Sequence, residues 1–171
     1  MNVWCTLVML KSEYACGAAA VAQSLANVGT KYPVWCMISD DISAECEVFL
    51  AGVFAKVVRV PLIAHECVPM KSQKQNQIYG GWIHQSFTKW NAMNPEYLPV
   101  DKVILVDADM LFLENCDSLF DLQAPAATFS SPWVTPYMAR GGRNHYGEMQ
   151  HGQVVDPRAI GGGLCNGVLG L

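Results

Sequence analysis

The chain has 171 residues, 51% of them hydrophobic and 15% charged, and a net charge of −4. That length fits one domain, and the apolar share can fill a core and argues against a disordered tail. The negative balance argues against the basic face of a nucleic-acid binder and gives no attraction to an anionic membrane surface, although a cation arriving with an anionic nucleotide would reverse the sign locally.

The N-terminal stretch Met-Asn-Val-Trp-Cys-Thr-Leu-Val-Met-Leu has neither a basic leader nor a small-residue cleavage site, so a signal peptide is not expected. No apolar run approaches the ~20 residues that span a bilayer, and a soluble protein is expected. The cysteines are Cys5, Cys16, Cys36, Cys46, Cys67, Cys116 and Cys165. Their number is odd, no C-x-x-C pair occurs, and several sit in apolar runs, which suits buried reduced thiols better than a zinc cage or disulfide frame. A reducing, cytosolic compartment follows as an expectation.

In chain order, residues 3–10 form a continuous apolar run suited to a buried strand. Ser12 is placed to cap a helix in which Ala18, Val21, Ala22 and Leu25 fall on one face, and Gly29 is its expected stop. Residues 34–38 read as a second buried strand. Asp40, Asp41 and Ser43 mark a helix start, with Glu45 and Glu47 in the favourable first turn and an expected end near Phe54. Residues 57–60 form a third strand, and 61–82 read as a mixed linker. A helix is then expected with Ile83, Phe87 and Trp90 on its buried stripe and Lys89 off it, ending before Pro95 and Pro99. Residues 103–106 are a strong strand, followed by Asp107-Ala108-Asp109 and a resumed apolar run at 111–113. A short helical turn is expected at 117–122 and a strand at 126–129. Residues 130–160, rich in Gly, Pro, Arg and His, read as a long loop. Its Arg140, Arg143, His145 and His151 are expected in solvent, with acceptor or phosphate contact as the alternative. Residues 161–171 are a glycine-interrupted apolar segment.

Strand, helix, strand, helix, strand with short links predicts an α/β domain with a mostly parallel, Rossmann-like sheet flanked by helices. Ligands in such sheets bind beyond the carboxyl ends of the strands. At one such end, Asp107 and Asp109 flank a single small residue. Two carboxylates there can converge on a hard cation, Mg²⁺ or Mn²⁺, that bridges a diphosphate and offsets its charge. The bland alternative is a pair of turn residues after a strand.

The segment from Asp107-Ala108-Asp109 through Asn115-Cys-Asp117-Ser-Leu-Phe120-Asp121 resembles the corresponding stretch of glycogenin and galactinol synthase, in retaining glycosyltransferase family 8. Thr6-Leu7, Tyr14, Gly17-Ala18, Ser24-Leu25, Lys31-Tyr32-Pro33 and Ser86-Phe-Thr-Lys89-Trp90 follow that family's order too. The resemblance covers most of residues 3–129. It implies a GT-A-like fold and a nucleotide-sugar donor, commonly UDP-linked, with Mn²⁺ (or Mg²⁺) on Asp107 and Asp109. It also implies a nucleotide site around Ala108, with Thr6, Leu7 and Tyr14 lining the base and ribose pocket and Lys89 reaching the ribose or phosphates. Transfer to an acceptor would proceed with retention, by front-side attack with help from the leaving diphosphate.

The chain departs from the family near its end. Cys165-Asn166-Gly167 matches the family's sugar-contacting turn with the asparagine displaced by one position, so Asn166 is a weaker site residue. A later Gly-Asp-Gln segment and a His-x-x-Gly-x-x-Lys motif, which would supply a third metal ligand and a lysine, do not occur. The expectation is a single glycosyltransferase-like domain over 1–171 that lacks its C-terminal part. No catalytic side chain is assigned. A nucleotide-sugar-binding fragment or interaction module without turnover is the alternative. A haloacid dehalogenase-type phosphatase is a weaker one, because Leu111 stands where that family prefers Thr or Val. A sugar acceptor and a second copy of the chain are the partners left open.

Overall fold

A computed structural model of the chain describes residues 1–68, 72–130 and 163–170. The elements are β1 (Asn2–Val8), α1 (Tyr14–Asn27), β2 (Val34–Ser39), α2 (Ala44–Ala51), β3 (Lys56–Val60), α3 (Gln73–Tyr79), a 3-10 helix (Ile83–Met93), β4 (Lys102–Leu105), a short 3-10 helix (Asp117–Asp121), β5 (Ala126–Ser130) and β6 (Gly163–Gly170). The sheet order is β3-β2-β1-β4-β6-β5. The first four strands are parallel to one another. β6 runs antiparallel to both β4 and β5, so the sheet is mostly parallel, as the alternation of strands and helices predicts.

Side chains of β1 alternate between two buried faces. Val3, Cys5 and Leu7 pack with Trp35, Met37, Leu98, Val103 and Leu105. Trp4 and Val8 face the other way, toward Val21 and Leu25 and toward Ala15, Ala18 and Ala22 of α1. Burial on both faces is why β1 and β2 read as unbroken apolar runs. Trp4 is fully buried, and Phe112 and Phe120 meet it edge-on at 5.0 and 5.1 Å.

The first helix starts differently from expectation. Glu13 occupies its capping position with helical backbone angles and no side-chain bond. Ser12 instead contributes its carbonyl, which accepts from Ala15 N–H at 3.0 Å, because the chain is already turning when it reaches the helix. The other end follows expectation. Gly29 has φ 71°, its N–H donates to Ala26, and Thr30 N–H donates to Leu25. These are the two reversed bonds of a Schellman stop, which glycine makes without a Cβ penalty. In α2 the Ser43 hydroxyl accepts from Cys46 N–H and Glu45 and Glu47 lie in the first turn. That helix ends at Ala51, short of the expected Phe54, and Phe54 folds back into the core behind α1.

Two stretches depart further. The linker contains α3, capped by Ser72 on Gln75 N–H at 3.0 Å; it buries none of its residues, so it has no apolar period to find. The segment after it is a 3-10 helix, and its buried face is Thr88, Asn91 and Ala92. Trp90, expected inside, is 61% exposed. Thr88 Oγ1 accepts from Ile63 N–H at 3.0 Å and Asn91 Nδ2 donates to the Pro61 carbonyl at 2.9 Å. These polar side chains are inside because the incoming chain at 61–63 needs their hydrogen bonds. Of the apolar run at 111–113 only Phe112 packs inward, and Leu111 and Leu113 are exposed. The predicted loop, with Arg140, Arg143, His145 and His151, lies outside the described residues. Among the described residues no helix is long and apolar enough to cross a membrane.

Candidate nucleotide and metal site

The chain lays down β1, β2 and β3 in one direction and then returns to place β4 on the other side of β1. In open α/β sheets ligands bind at such a reversal, beyond the carboxyl ends of the strands, here β1 and β4. The link from Met9 to Glu13 leaves β1 there. At the exit of β4, Val106 N–H still bonds Cys5 O at 2.9 Å, and Asp107-Ala108-Asp109 follows.

Asp107 is half-buried and Asp109 exposed, so the motif stands at the rim of the sheet rather than in the core. Ala108 packs against the cluster that holds Val8, Ala15 and Ala18. The backbone of Ala108 also lies very close to α1. A Cβ built on Gly17 of α1 would stand 2.4 Å from the Ala108 carbonyl oxygen. α1 and the acidic loop are therefore in near contact backbone to backbone, and Gly17 permits it. Sequence reading passed over this role; its signal was a glycine in a helix interior, where it costs about 1 kcal/mol relative to alanine unless packing requires it. Leu10, in the link between β1 and α1, has φ 67°. That left-handed conformation is uncommon for a bulky side chain, and such outliers gather at functional sites.

Lys89 comes from the 3-10 helix and pairs its ammonium with Asp107 Oδ1. Thr88 and Asn91, buried on either side of it, hold that stretch of backbone. Thr6 is fully buried, facing α1, and its hydroxyl is the one buried side-chain polar atom among the described residues without a partner. Leu7 is in the opposite core face, and Tyr14 stands exposed at the start of α1. Asn166 is on β6. Ala127 pairs with Gly167 and Thr128 with Cys165, so Asn166 is the extra residue of a β-bulge. Leu105 pairs with Gly167, which puts Asn166 one step further, level with Val106 at the same rim. The structure thus gathers Asp107, Ala108, Asp109, Lys89 and Asn166 at one edge and leaves Thr6 and Leu7 beneath it.

The segment that follows is clamped to α1. Asn115 Nδ2 donates to the carbonyls of Val28 and Gly29 at 3.2 and 3.0 Å, and its Oδ1 accepts from Asp117 N–H at 2.9 Å. Asp117 accepts from the Thr30 hydroxyl, from Lys31 N–H at 2.9 Å and from Trp4 Nε1 at 3.4 Å. Burial pushes this carboxyl's pKa up, but the bonds from Thr30, Lys31, Trp4 and Asn115 outweigh it and hold the pKa below the ordinary value. Phe112 N–H adds a bond to Ser24 Oγ at 3.1 Å. The acidic loop is therefore fixed on both sides.

Half-buried Asp107 and exposed Asp109 are two hard-oxygen donors one residue apart in the chain. Among the described residues no group of three or more His, Cys, Asp or Glu is placed to hold a metal ion. Mg²⁺-type ions are commonly held by one or two carboxylates with substrate phosphates completing the shell, so the pair suits an ion that arrives with a diphosphate.

No protein-family model matches the chain. It is 29% identical over 133 residues to UDP-glucuronate:xylan alpha-glucuronosyltransferase 2 of Arabidopsis thaliana, covering 78% of this chain and 20% of the plant protein. It is 27% identical over 123 residues to the uncharacterized protein R707 of Acanthamoeba polyphaga mimivirus, covering 71% of this chain and 41% of that one. The chain thus spans a fifth of the plant protein and two-fifths of the viral one. Among solved structures, an active-site mutant of LgtC superposes with a TM-score of 0.56 at 17% identity, over 78% of this chain and 48% of LgtC. The galactosyltransferase LgtC with donor and acceptor sugar analogs gives 0.53 at 16% identity, over 90% of this chain and 54% of that one. The chain is thus similar in sequence to these glycosyltransferases, and its fold is the GT-A-like one of LgtC.

Proposed function

We propose that the chain forms the nucleotide-sugar-binding domain of a retaining glycosyltransferase that takes a UDP-sugar donor with Mn²⁺ or Mg²⁺. One observation carries the reading. Asp107 and Asp109 leave β4 at the strand-order reversal, on a backbone locked against α1, with the Lys89 ammonium beside them. A divalent cation held by the two carboxylates, with the ammonium near it, would suit a diphosphate at this switch point. The names of the sequence relatives, glucuronosyltransferases that use UDP-glucuronate, support a UDP-linked donor.

In this reading Asp107 and Asp109 hold the cation, which supplies charge neutralisation for the departing diphosphate. Lys89 donates to donor oxygens. Gly17 and Asn115 do no chemistry; they fix where the carboxylates stand, and that geometry sets how much electrostatic stabilisation the site can give. The acceptor attacks from the face the diphosphate leaves. A cytosolic setting belongs to the same proposal and rests on the cysteine usage.

Calorimetry tests the assignment. UDP-glucose, UDP-galactose and UDP-glucuronate are titrated into the chain with and without Mn²⁺. Affinity for one of them should rise with Mn²⁺, and Asp107→Ala or Asp109→Ala should remove the rise. Equal affinity in wild type and both variants would remove Asp107 and Asp109 from the site. Donor binding with neither transfer nor donor hydrolysis would favour a binding module over an enzyme.

A further inference from the structure

The pairing of Lys89 with Asp107 sets a condition on how the site fills. Lys89 and Asp107 side chains are 40% and 36% exposed, so ions and water reach the pair. The backbone that carries Lys89 is held by fully buried Thr88 and Ala92 and nearly buried Asn91. Only the lysine's flexible stem can move the charge. Asp107 in turn is held by a loop that Gly17 and Ser24 fix. The ammonium therefore rests on a carboxylate that a divalent ion would need, and it can leave only by swinging on its own stem.

We propose that Lys89 is a placeholder cation that couples the divalent ion to the diphosphate: it blocks the ion alone and yields when a diphosphate arrives. This rests on the reading of Asp107 and Asp109 as metal ligands. The argument is electrostatic. Without Lys89 the two carboxylates offer a free ion a charge of −2; with Lys89 on Asp107 the local charge is −1. An ion arriving alone must break the Lys89–Asp107 pair and then sit beside a displaced ammonium, and like charges a few ångströms apart repel even in water. A diphosphate removes both penalties. It gives the ammonium a new anion within reach and brings negative charge that faces the ion. Ion and nucleotide then bind with positive coupling, and the coupling is reciprocal. Lys89 is a positioning residue in this scheme, whatever direct bond it also makes to the donor.

The test measures binding, not turnover. Mn²⁺ is titrated into the full chain and followed by electron paramagnetic resonance, with and without saturating UDP. The proteins are wild type, Lys89→Met, Lys89→Arg and Asp107→Asn, each checked for folding by its thermal transition. Wild type should bind Mn²⁺ weakly alone and markedly more tightly with UDP. Lys89→Met should bind Mn²⁺ alone about tenfold more tightly than wild type, the size expected for losing one screened ion pair and one nearby like charge. Its gain from UDP should shrink by a similar factor, and Lys89→Arg should behave as wild type. Mn²⁺ affinity in Lys89→Met equal to or below wild type, with Asp107→Asn still weakening Mn²⁺, would overturn the placeholder and leave the metal site standing. Absence of Mn²⁺ binding in wild type and Lys89→Met, with or without UDP, would overturn the metal reading and the placeholder together.

Discussion

The Gly17→Ala substitution separates packing from propensity, because the two predict opposite signs. By propensity alone, alanine in a helix interior is worth about 1 kcal/mol over glycine, and the variant would be more stable. The structure says otherwise. The new Cβ would stand 2.4 Å from the Ala108 carbonyl oxygen, where real Cβ contacts essentially never fall below 3.0 Å. The obstacle is backbone, not a flexible side-chain end. α1 cannot retreat cheaply, since Ala15, Ala18, Val21, Ala22 and Leu25 bury its face and Asn115 holds its carboxyl end. The loop must therefore yield by at least about 0.6 Å, and forced shifts in well-packed regions cost about 1–3 kcal/mol. Net destabilisation of about 1 kcal/mol is expected after the propensity gain, a fall of about 2–4 °C in the melting temperature of a chain of this size. Function should suffer more than stability. A shift of that size exceeds the ~0.5 Å tolerance of a preorganised site, so Mn²⁺-dependent UDP affinity should drop about tenfold or more. Urea and thermal unfolding give the first number and calorimetry the second. A Gly17→Ala protein more stable than wild type with unchanged UDP affinity would refute the close approach and the positioning argument built on it.

Three further outcomes follow from the same geometry. Asp117→Asn should cost about 1–2 kcal/mol in urea unfolding through its lost charge-assisted bonds. Because the folded pKa of Asp117 lies below its ordinary 3.8, its contribution is complete above that value and drains as pH falls through the lowered one. The variant should lose that part of the acid limb, and an unchanged acid profile would count against the clamp. Thr88→Val should destabilise by about 1 kcal/mol or more, since it leaves Ile63 N–H without its acceptor. Trp90→Ala should stay within about 0.5 kcal/mol, since Trp90 is exposed; the reverse ranking would restore the helical stripe expected from sequence. In the folded protein a brief iodoacetamide pulse with peptide mapping should modify exposed Cys16 while sparing Cys5, whose thiol burial pushes up to about 12, and Cys36, raised further for the same reason. Equal labelling of Cys5 and Cys16 would contradict the buried first strand.

What could be read without coordinates was whatever follows from period and burial. β1, β2 and β4 are buried on both faces, so their apolar runs were unambiguous, and α1 declared itself by four residues at helical spacing. Several of the failures share a cause. Where local hydrogen bonding rather than apolar burial fixes the chain, periodicity has nothing to report. α3 buries nothing, and the 3-10 helix buries Thr88 and Asn91 to satisfy the backbone at 61–63. Ser12 likewise looked like a cap because of its type, but the turn that feeds α1 uses its carbonyl instead. Contacts between backbones, such as α1 on the acidic loop, leave only a glycine as their trace.

The family-like stretch from Asp107 to Asp121 divides in the structure into two kinds of residue. Asp107 and Asp109 stand at the rim and engage no part of the fold except Lys89 among the described ion pairs. Asn115 and Asp117 face the protein: between them they bond the end of α1, the approach to β2 and the Trp4 ring nitrogen. A carboxylate that helps the fold is satisfied within it, whereas one kept for a ligand must stay available, at some cost in unrelieved charge. Motif matching weights all four alike. The hydrogen-bond partners separate them: under the proposed function the first pair would carry the chemistry and the second pair its placement. Asp117→Asn should therefore move the unfolding midpoint before it moves affinity, and Asp109→Asn the reverse. If the two substitutions ranked the same way in both measurements, this division of labour would be wrong.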